Sequence, residues 1–83
     1  MKKYKIRLNT INDASLFTAK CNEYKDVDID CLYGRYIIDA KSVMGVLSIG
    51  LEKDYVVILH SDNKRIQDIF YEDIKLWIVE GNA

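Results

Sequence analysis

Ser42 is the residue whose type and position best suit chemistry. It precedes a short apolar segment that ends at Gly50, so its hydroxyl stands where the N-cap of a helix is expected. The free N–H groups and the positive dipole at a helix N-terminus stabilise a phosphate, and Lys41 adds a local cation. Ser42 is therefore a candidate phosphorylation site. The local sequence alone favours a plain N-cap worth about 1 kcal/mol.

A possible partner surface lies beside Ser42. Val43, Met44 and Leu47 share one side of the predicted helix if Val46 and Ile49 face the core. In an exposed position these three side chains form a small apolar patch that suits a protein partner. The alternative is that they pack inside, as apolar residues on short helices usually do.

His60 and the two cysteines are weak candidates for catalysis. His60 is the only histidine, and no nucleophile or metal-ligand pattern surrounds it in the sequence. Cys21 and Cys31 are ten positions apart, without the spacing of a zinc or redox site. We expect reduced core thiols, and neither an enzyme nor a metal site.

Three aspartates, Asp26, Asp28 and Asp30, alternate with apolar residues. They lack the glycine and the distant glutamate of a calcium loop, and a period of two is typical of a solvated strand face. The four glycines are too scattered for a phosphate-binding loop. No cofactor is predicted.

Length and charge limit the classes of function. The chain has 83 residues, 12 basic against 13 acidic, and a net charge of −1, so we expect a single domain over residues 1–83. A nucleic-acid partner is disfavoured because no basic excess is present. Charges interrupt the apolar residues near the N-terminus, so we predict neither a signal peptide nor a membrane span, and a cytoplasmic location.

Hydrophobic periodicity predicts the elements that position these residues. Alternation over residues 4–8 and 26–31 indicates two strands, and a tight turn joins the second to a third strand at residues 36–40. Thr10 or Asn12 can cap an intervening helix. The buried face of that helix is predicted to comprise Ala14, Phe17, Cys21 and Tyr24.

The second half continues with a two-turn helix from Ser42 to Gly50, a β-branched strand over residues 55–60, and a final helix that begins after residues 61–63. Trp77 is expected in the core. The apolar face of the final helix comprises Ile66, Ile69, Phe70, Ile74, Trp77 and Ile78.

This order of elements predicts an α+β domain with one antiparallel sheet and helices packed on one side. Its open face is expected to carry the basic residues of the first strand and the aspartates of the second. Val56, Ile58 and Ile37 make that face a candidate surface for a dimer, and the exposed first strand is a candidate edge for strand swapping.

The stretch from Tyr36 to Leu51, with its Lys-Ser-Val-Met-Gly-Val-Leu-Ser-Ile core, resembles the regulatory-serine region of HPr, the phosphocarrier of the bacterial sugar phosphotransferase system. The resemblance implies an open-faced β-sandwich whose four-stranded antiparallel sheet has the order 1-4-2-3, with three helices on one face. The resemblance is at the level of individual residues over about residues 36–60. In the first half of the chain it is limited to the order of strands and helices.

A second family signature, a phosphorylated histidine in a Gly-[Ile/Leu]-His-Ala-Arg-Pro-Ala context, is absent. Thr10 stands where the histidine would fall, and Asn12 and Asp13 replace the arginine and proline. His60 cannot substitute for it, because it lies in the last strand, away from the position where in-line phosphoryl transfer occurs.

The resemblance implies that Ser42 accepts a phosphoryl group from the ATP-dependent HPr kinase/phosphorylase. Lys41, Val43, Met44 and Leu47 then match the partner surface that binds a LacI-type catabolite regulator, and the change of charge at Ser42 acts as a switch. The arginine that aids regulator binding in HPr is missing here.

Three interpretations stay open. The first is a non-catalytic, HPr-like regulatory protein of carbon metabolism that is phosphorylated at Ser42. The second is an interaction or assembly module in which Ser42 is only a cap. The third is a phosphocarrier with an unconventional acceptor.

Overall fold

The computed structural model describes residues 1–79, in which the alternating and helical segments form four strands and three α-helices. The elements are β1 (Lys2–Arg7), α1 (Ile11–Asn22), β2 (Ile29–Tyr33), β3 (Tyr36–Asp39), α2 (Val43–Ile49), β4 (Asp54–Leu59), α3 (Lys64–Ile74) and a 3-10 helix (Lys75–Trp77).

The strands form one antiparallel sheet in the order β1-β4-β2-β3. One row across it runs from Lys5 through Val56 and Leu32 to Ile37. Successive side chains of a strand point to opposite faces, so this row lies on the outer face. The three helices cover the inner face. The predicted fold class, sheet order and outward position of Val56 are confirmed.

The core lies between the inner face of the sheet and the helices. Aromatic rings meet edge to face: Phe17 and Trp77 have centroids 5.9 Å apart, and Phe70 lies 5.4 Å from Tyr4. Such pairs add about 0.5–1.5 kcal/mol each beyond their area burial. The largest fully buried side chains are Tyr55, Phe17, Phe70, Ile6, Leu8, Ile29, Leu59, Ile74, Val46, Val57, Cys21 and Cys31.

Two predicted boundaries in the first half are wrong. Helix α1 ends at Asn22, so Tyr24 lies beyond it, and its side chain packs against Phe70 at 5.3 Å. Strand β2 begins at Ile29 rather than Asp26. The Val27 amide donates to the Tyr24 carbonyl at 3.2 Å, and this turn holds residues 25–27 out of the sheet, while the Asp28 carbonyl accepts from the His60 amide at 3.0 Å.

The predicted face of α3 is also partly wrong. Ile69 is 47 % exposed, because the buried side of the helix is centred on Phe70 and Ile74. The α-helix ends at Ile74, and the chain tightens into the 3-10 helix that carries the buried Trp77. Within residues 1–79, no helix has the length and apolarity needed to cross a membrane.

Candidate functional site

The N-terminus of α2 is built around Ser42. Its backbone is extended, as expected for the residue between the end of β3 and the first turn of α2. Its Oγ accepts a hydrogen bond from the Gly45 amide at 3.1 Å. The Ser42 carbonyl accepts from the Val46 amide at 3.0 Å. Ser42 is therefore the N-cap that the sequence predicts, and its side chain is half-buried.

Lys41 does not extend freely beside this hydroxyl. Its Nζ donates to the Tyr24 carbonyl at 2.6 Å, while its own carbonyl accepts from Asn22 Nδ2 at 3.0 Å. Its amide donates to Asp39 Oδ1 at 2.9 Å. The first two bonds fix the start of α2 against the end of α1, and the third ties it to the end of β3. Lys41 thus positions the Ser42 turn, while its ammonium group is held at the Tyr24 carbonyl.

The apolar patch predicted beside Ser42 is smaller than expected. Val46 is fully buried and Met44 is 76 % exposed, which matches the prediction for these two residues. Val43 and Leu47 are half-buried, and Leu47 packs against the edge of the core. Met44 is consequently the main apolar side chain that this helix offers to a partner.

Gly45 allows α2 to approach β3 closely, a role that was not predicted from the sequence. A Cβ added to Gly45 would lie 2.5 Å from Cγ2 of Ile38, which is well inside van der Waals contact. A glycine after the Met in a helical segment is the only sequence signal of this contact. The close approach fixes the position of Ser42 relative to the sheet.

The N-terminus of α1 carries Thr10, the residue at the position of the missing histidine. Its Oγ1 accepts from the Asp13 amide at 3.0 Å, so Thr10, not Asn12, is the N-cap. Asp13 Oδ2 accepts from the Asn9 amide at 3.3 Å. The arrangement is similar to a capping box, in which the N3 side chain returns to an orphan N–H group. A carboxylate of the chain itself therefore lies in the first turn of α1.

The pKa of Asp13 is lowered, first by the indole N–H of Trp77 and further by the donors of Asn9 and Thr10, against an opposing effect of desolvation. The Trp77 Nε1 is buried and has no partner that meets hydrogen-bond geometry among residues 1–79, so this N–H group favours the carboxylate without a fully formed hydrogen bond. Each of these contacts favours the charged carboxylate. Asp13 was not singled out as functional from the sequence.

His60 lies directly after β4 in an open cleft of about 380 Å³. Its Nε2 is 2.8 Å from Asp30 Oδ2. The cleft also brings Asp28, Asp39 and Lys41 around the imidazole. This negative setting opposes a phosphoryl group on His60, because added negative charge would be repelled by three carboxylates.

The remaining predicted candidates do not form a reactive centre in the part of the chain that the structure describes. Cys21 and Cys31 are free and fully buried. Burial raises the pKa of Cys31 to about 12 and raises that of Cys21 further, so both thiols are protonated near neutrality. No group of three or more potential ligands among residues 1–79 is arranged to hold a metal ion.

Comparisons with known proteins agree with this fold. No curated protein sequence matches the chain significantly. Among solved structures, a histidine-containing phosphocarrier protein of Mycoplasma is similar, with a TM-score of 0.68 and 13 % identity, covering 90 % of this chain and 89 % of that one. The protein HPr-C-His from Thermoanaerobacter tengcongensis has a TM-score of 0.65 and 20 % identity over 90 % of this chain and 97 % of that one.

The family model for the phosphorylation site of the HPr component of the phosphotransferase system (PTS-HPr) matches residues 11–72. These residues extend from the first residue of α1 into α3 and include the Ser42 turn, but they begin after Thr10. The match covers most of the chain, and the sheet order and helix positions agree with it. The chain therefore belongs to the HPr family of the phosphotransferase system.

Proposed function

We propose that this chain is a non-catalytic regulatory member of the HPr family that accepts a phosphoryl group at Ser42. The observation that carries the proposal is the contrast between the two helix N-termini. At α1 the histidine position holds Thr10, and the Asp13 carboxylate already places a negative charge in the first turn, where it accepts from the Asn9 amide. At α2 the capping group is a hydroxyl with no acidic residue in the first turn.

The chemical step forms one bond and breaks one. Ser42 Oγ attacks the γ-phosphorus of ATP, the bond to the β-phosphate oxygen breaks, ADP leaves, and the hydroxyl proton passes to a base of the kinase. The phosphoserine carries a charge of about −1.5 to −2 at neutral pH. The Gly45 amide, which now donates to Ser42 Oγ at 3.1 Å, is available to a phosphate oxygen.

A partner protein is proposed to recognise phosphorylated Ser42 through the surface around the start of α2. Met44 supplies an exposed apolar contact, Val43 and Leu47 border it, and Lys41 holds the turn in place. Addition of phosphate at Ser42 places a strong acceptor next to an apolar anchor. A partner with an apolar pocket beside basic side chains would then distinguish the phosphorylated state.

The partners proposed on the family resemblance are the HPr kinase/phosphorylase, which would modify Ser42, and a LacI-type catabolite regulator, which would bind the modified protein. The corresponding process is catabolite repression in the bacterial cytoplasm. Neither direct nucleic-acid binding nor membrane association forms part of the proposal.

The test is the intact mass of the protein after incubation with ATP and a purified HPr kinase/phosphorylase. We expect one added phosphate on the wild-type chain and none on Ser42→Ala. Ser48→Ala is the matched control, because Ser48 is an exposed hydroxyl of the same helix, whose Oγ donates to the Gly45 carbonyl at 2.6 Å. This control should be modified like the wild type.

Incubation with phosphoenolpyruvate and the first enzyme of the phosphotransferase system tests the phosphocarrier alternative, and we expect no gain in mass. If the wild-type chain also gains no phosphate from ATP and the kinase, the proposal is contradicted and the interpretation as an interaction or assembly module is favoured. In that case Ser42→Ala would lower the free energy of unfolding by about 1 kcal/mol through the lost cap and leave partner binding unchanged.

A further inference from the structure

The two edges of the sheet differ in what covers them. At the β1 edge, the Val79 amide donates to the Lys5 carbonyl at 2.9 Å, and Ile78 forms a bridge with Ile6. Exposed lysines of β1 also discourage another strand from pairing there. At the β3 edge, the residues that the structure describes supply no such cover.

The free edge of β3 is centred on Ile37. The Ala40 amide donates to the Ile29 carbonyl at 2.9 Å, and Ile38 lies opposite Cys31. Peptide groups of a strand alternate between its two sides, so the N–H and C=O groups of Ile37 point away from β2. A second strand placed against β3 would meet them directly.

Side chains at this edge are apolar and exposed. Ile37 is 70 % exposed and Tyr36 is 62 % exposed, and the edge strand contains neither lysine nor proline. Besides its short length, the only such protective device in β3 is the charged Asp39 at its end. A strand of four residues offers only a few hydrogen bonds, so association through it is weak and depends on concentration.

The two ends of β3 carry opposite charges, so the strand is complementary to an antiparallel second copy of itself. Arg35 precedes the strand and Asp39 ends it. Neither side chain has an ion-pair partner within residues 1–79. If two copies pair antiparallel with Ile37 opposite Ile37, Arg35 of each copy lies opposite Asp39 of the partner subunit. The register that joins the free peptide groups is thus the one that pairs both charges.

We propose that β3 is a homodimer interface, in which two copies join edge to edge about a two-fold axis at Ile37 and form one eight-stranded sheet. The two Ile37 side chains then lie side by side on the outer face, flanked by two Arg35–Asp39 pairs. An interface of this kind is isologous, since the same strand contributes to both halves. It adjoins the Ser42 turn, because Asp39 Oδ1 also accepts from the Lys41 amide at 2.9 Å, but the pairing itself does not require phosphorylation.

The experiment is sedimentation velocity on the full chain from about 0.02 to about 2 mM, the range in which weak interfaces associate. We expect the mass to rise with concentration from 9.7 kDa toward twice that value. Ile37→Lys should keep the protomer mass throughout. Leu76→Lys is the matched control, because Leu76 is 73 % exposed but lies in the 3-10 helix, outside β3, and it should associate like the wild type.

Charge exchange tests the register. Arg35→Asp and Asp39→Arg should each raise the dissociation constant about tenfold by placing like charges opposite each other. The double variant should recover the wild-type value. Far-UV circular dichroism verifies that every variant is folded. A protomer mass for the wild type at all concentrations, a dimer that survives Ile37→Lys, or a double variant as weak as the single ones would each overturn the proposal.

Discussion

At the scale of single residues, two helix caps with similar geometry have opposite chemical consequences. Thr10 and Ser42 each accept a hydrogen bond from the amide three residues later. Asp13 adds a carboxylate to the first cap, whereas the first turn of α2 has no acidic residue. The Asp13 carboxylate therefore already offsets the positive dipole end of α1, whereas the first turn of α2 carries no acidic residue and can receive an added anion.

The Asp13 carboxylate predicts a specific dependence of stability on pH. Its folded-state pKa is lowered, so its contribution is complete above the unfolded-state pKa, near 3.8, and is lost as the pH falls through the folded-state value. We expect Asp13→Asn to destabilise the protein at pH 7 and to make little difference at about pH 2. Urea unfolding midpoints at both pH values measure this.

Asp68→Asn is the matched control for that experiment, because Asp68 is exposed and its partner is Lys64, four residues earlier on α3. An exposed pair of this kind contributes about 0.3–0.5 kcal/mol. A difference between wild type and Asp13→Asn that stays constant from pH 7 to low pH would show that shape, and not charge, accounts for the effect of Asp13.

At the scale of elements, the position of α2 depends on two contacts. Gly45 packs directly against Ile38 of β3, and Lys41 joins the start of the helix to the carbonyl of Tyr24 beyond α1. Together they orient the helix so that Val46 enters the core and Met44 faces outward. The proposed partner surface is thus set by packing on both sides of a helix of seven residues.

Gly45→Ala tests this packing. Alanine gains about 1 kcal/mol of helix propensity, but its Cβ would lie 2.5 Å from Ile38 Cγ2, and overpacking costs about 1–3 kcal/mol. We expect a net loss of about 1 kcal/mol in the free energy of unfolding, measured in urea. In an Ile38→Ala background, the same substitution should become neutral or stabilising. Equal losses in both backgrounds would contradict the contact.

At the scale of the whole molecule, one core joins the sheet and the helices. Cys21 of α1 and Cys31 of β2 are both completely buried in it. Phe70 of α3 contacts Tyr4 of β1 and Tyr24 after α1 through ring edges. Because each helix shares buried neighbours with the sheet, we expect the described part of the chain to unfold as one cooperative unit.

Thiol reactivity tests this cooperativity. Burial raises the pKa of Cys31 to about 12 and that of Cys21 beyond it, so a thiol-specific disulfide reagent should not label the native protein at pH 8. Both thiols should become reactive together as urea unfolds the chain, at the midpoint reported by circular dichroism. Labelling of one thiol well before that midpoint would reveal a separate local opening.

The sequence by itself determined the features that depend on near neighbours. Alternation fixed the buried faces of the strands, and the caps at Thr10 and Ser42 follow from contacts between residues three apart. The missing histidine is also a matter of sequence alone. These features were predictable because strand pleat, helix period and capping act over one or two turns of the chain.

Only the tertiary structure decided which distant residues meet. His60 contacts Asp30 across 30 positions, Lys41 bonds to the Tyr24 carbonyl across 17, and Gly45 lies against Ile38 of β3. The exposure of Ile69 and the 3-10 turn before Trp77 likewise depend on how α3 packs. Periodicity specifies which face of each element is buried, but it does not specify which other element covers that face. The covering element is determined by the strand order and by the packing of the helices on the sheet.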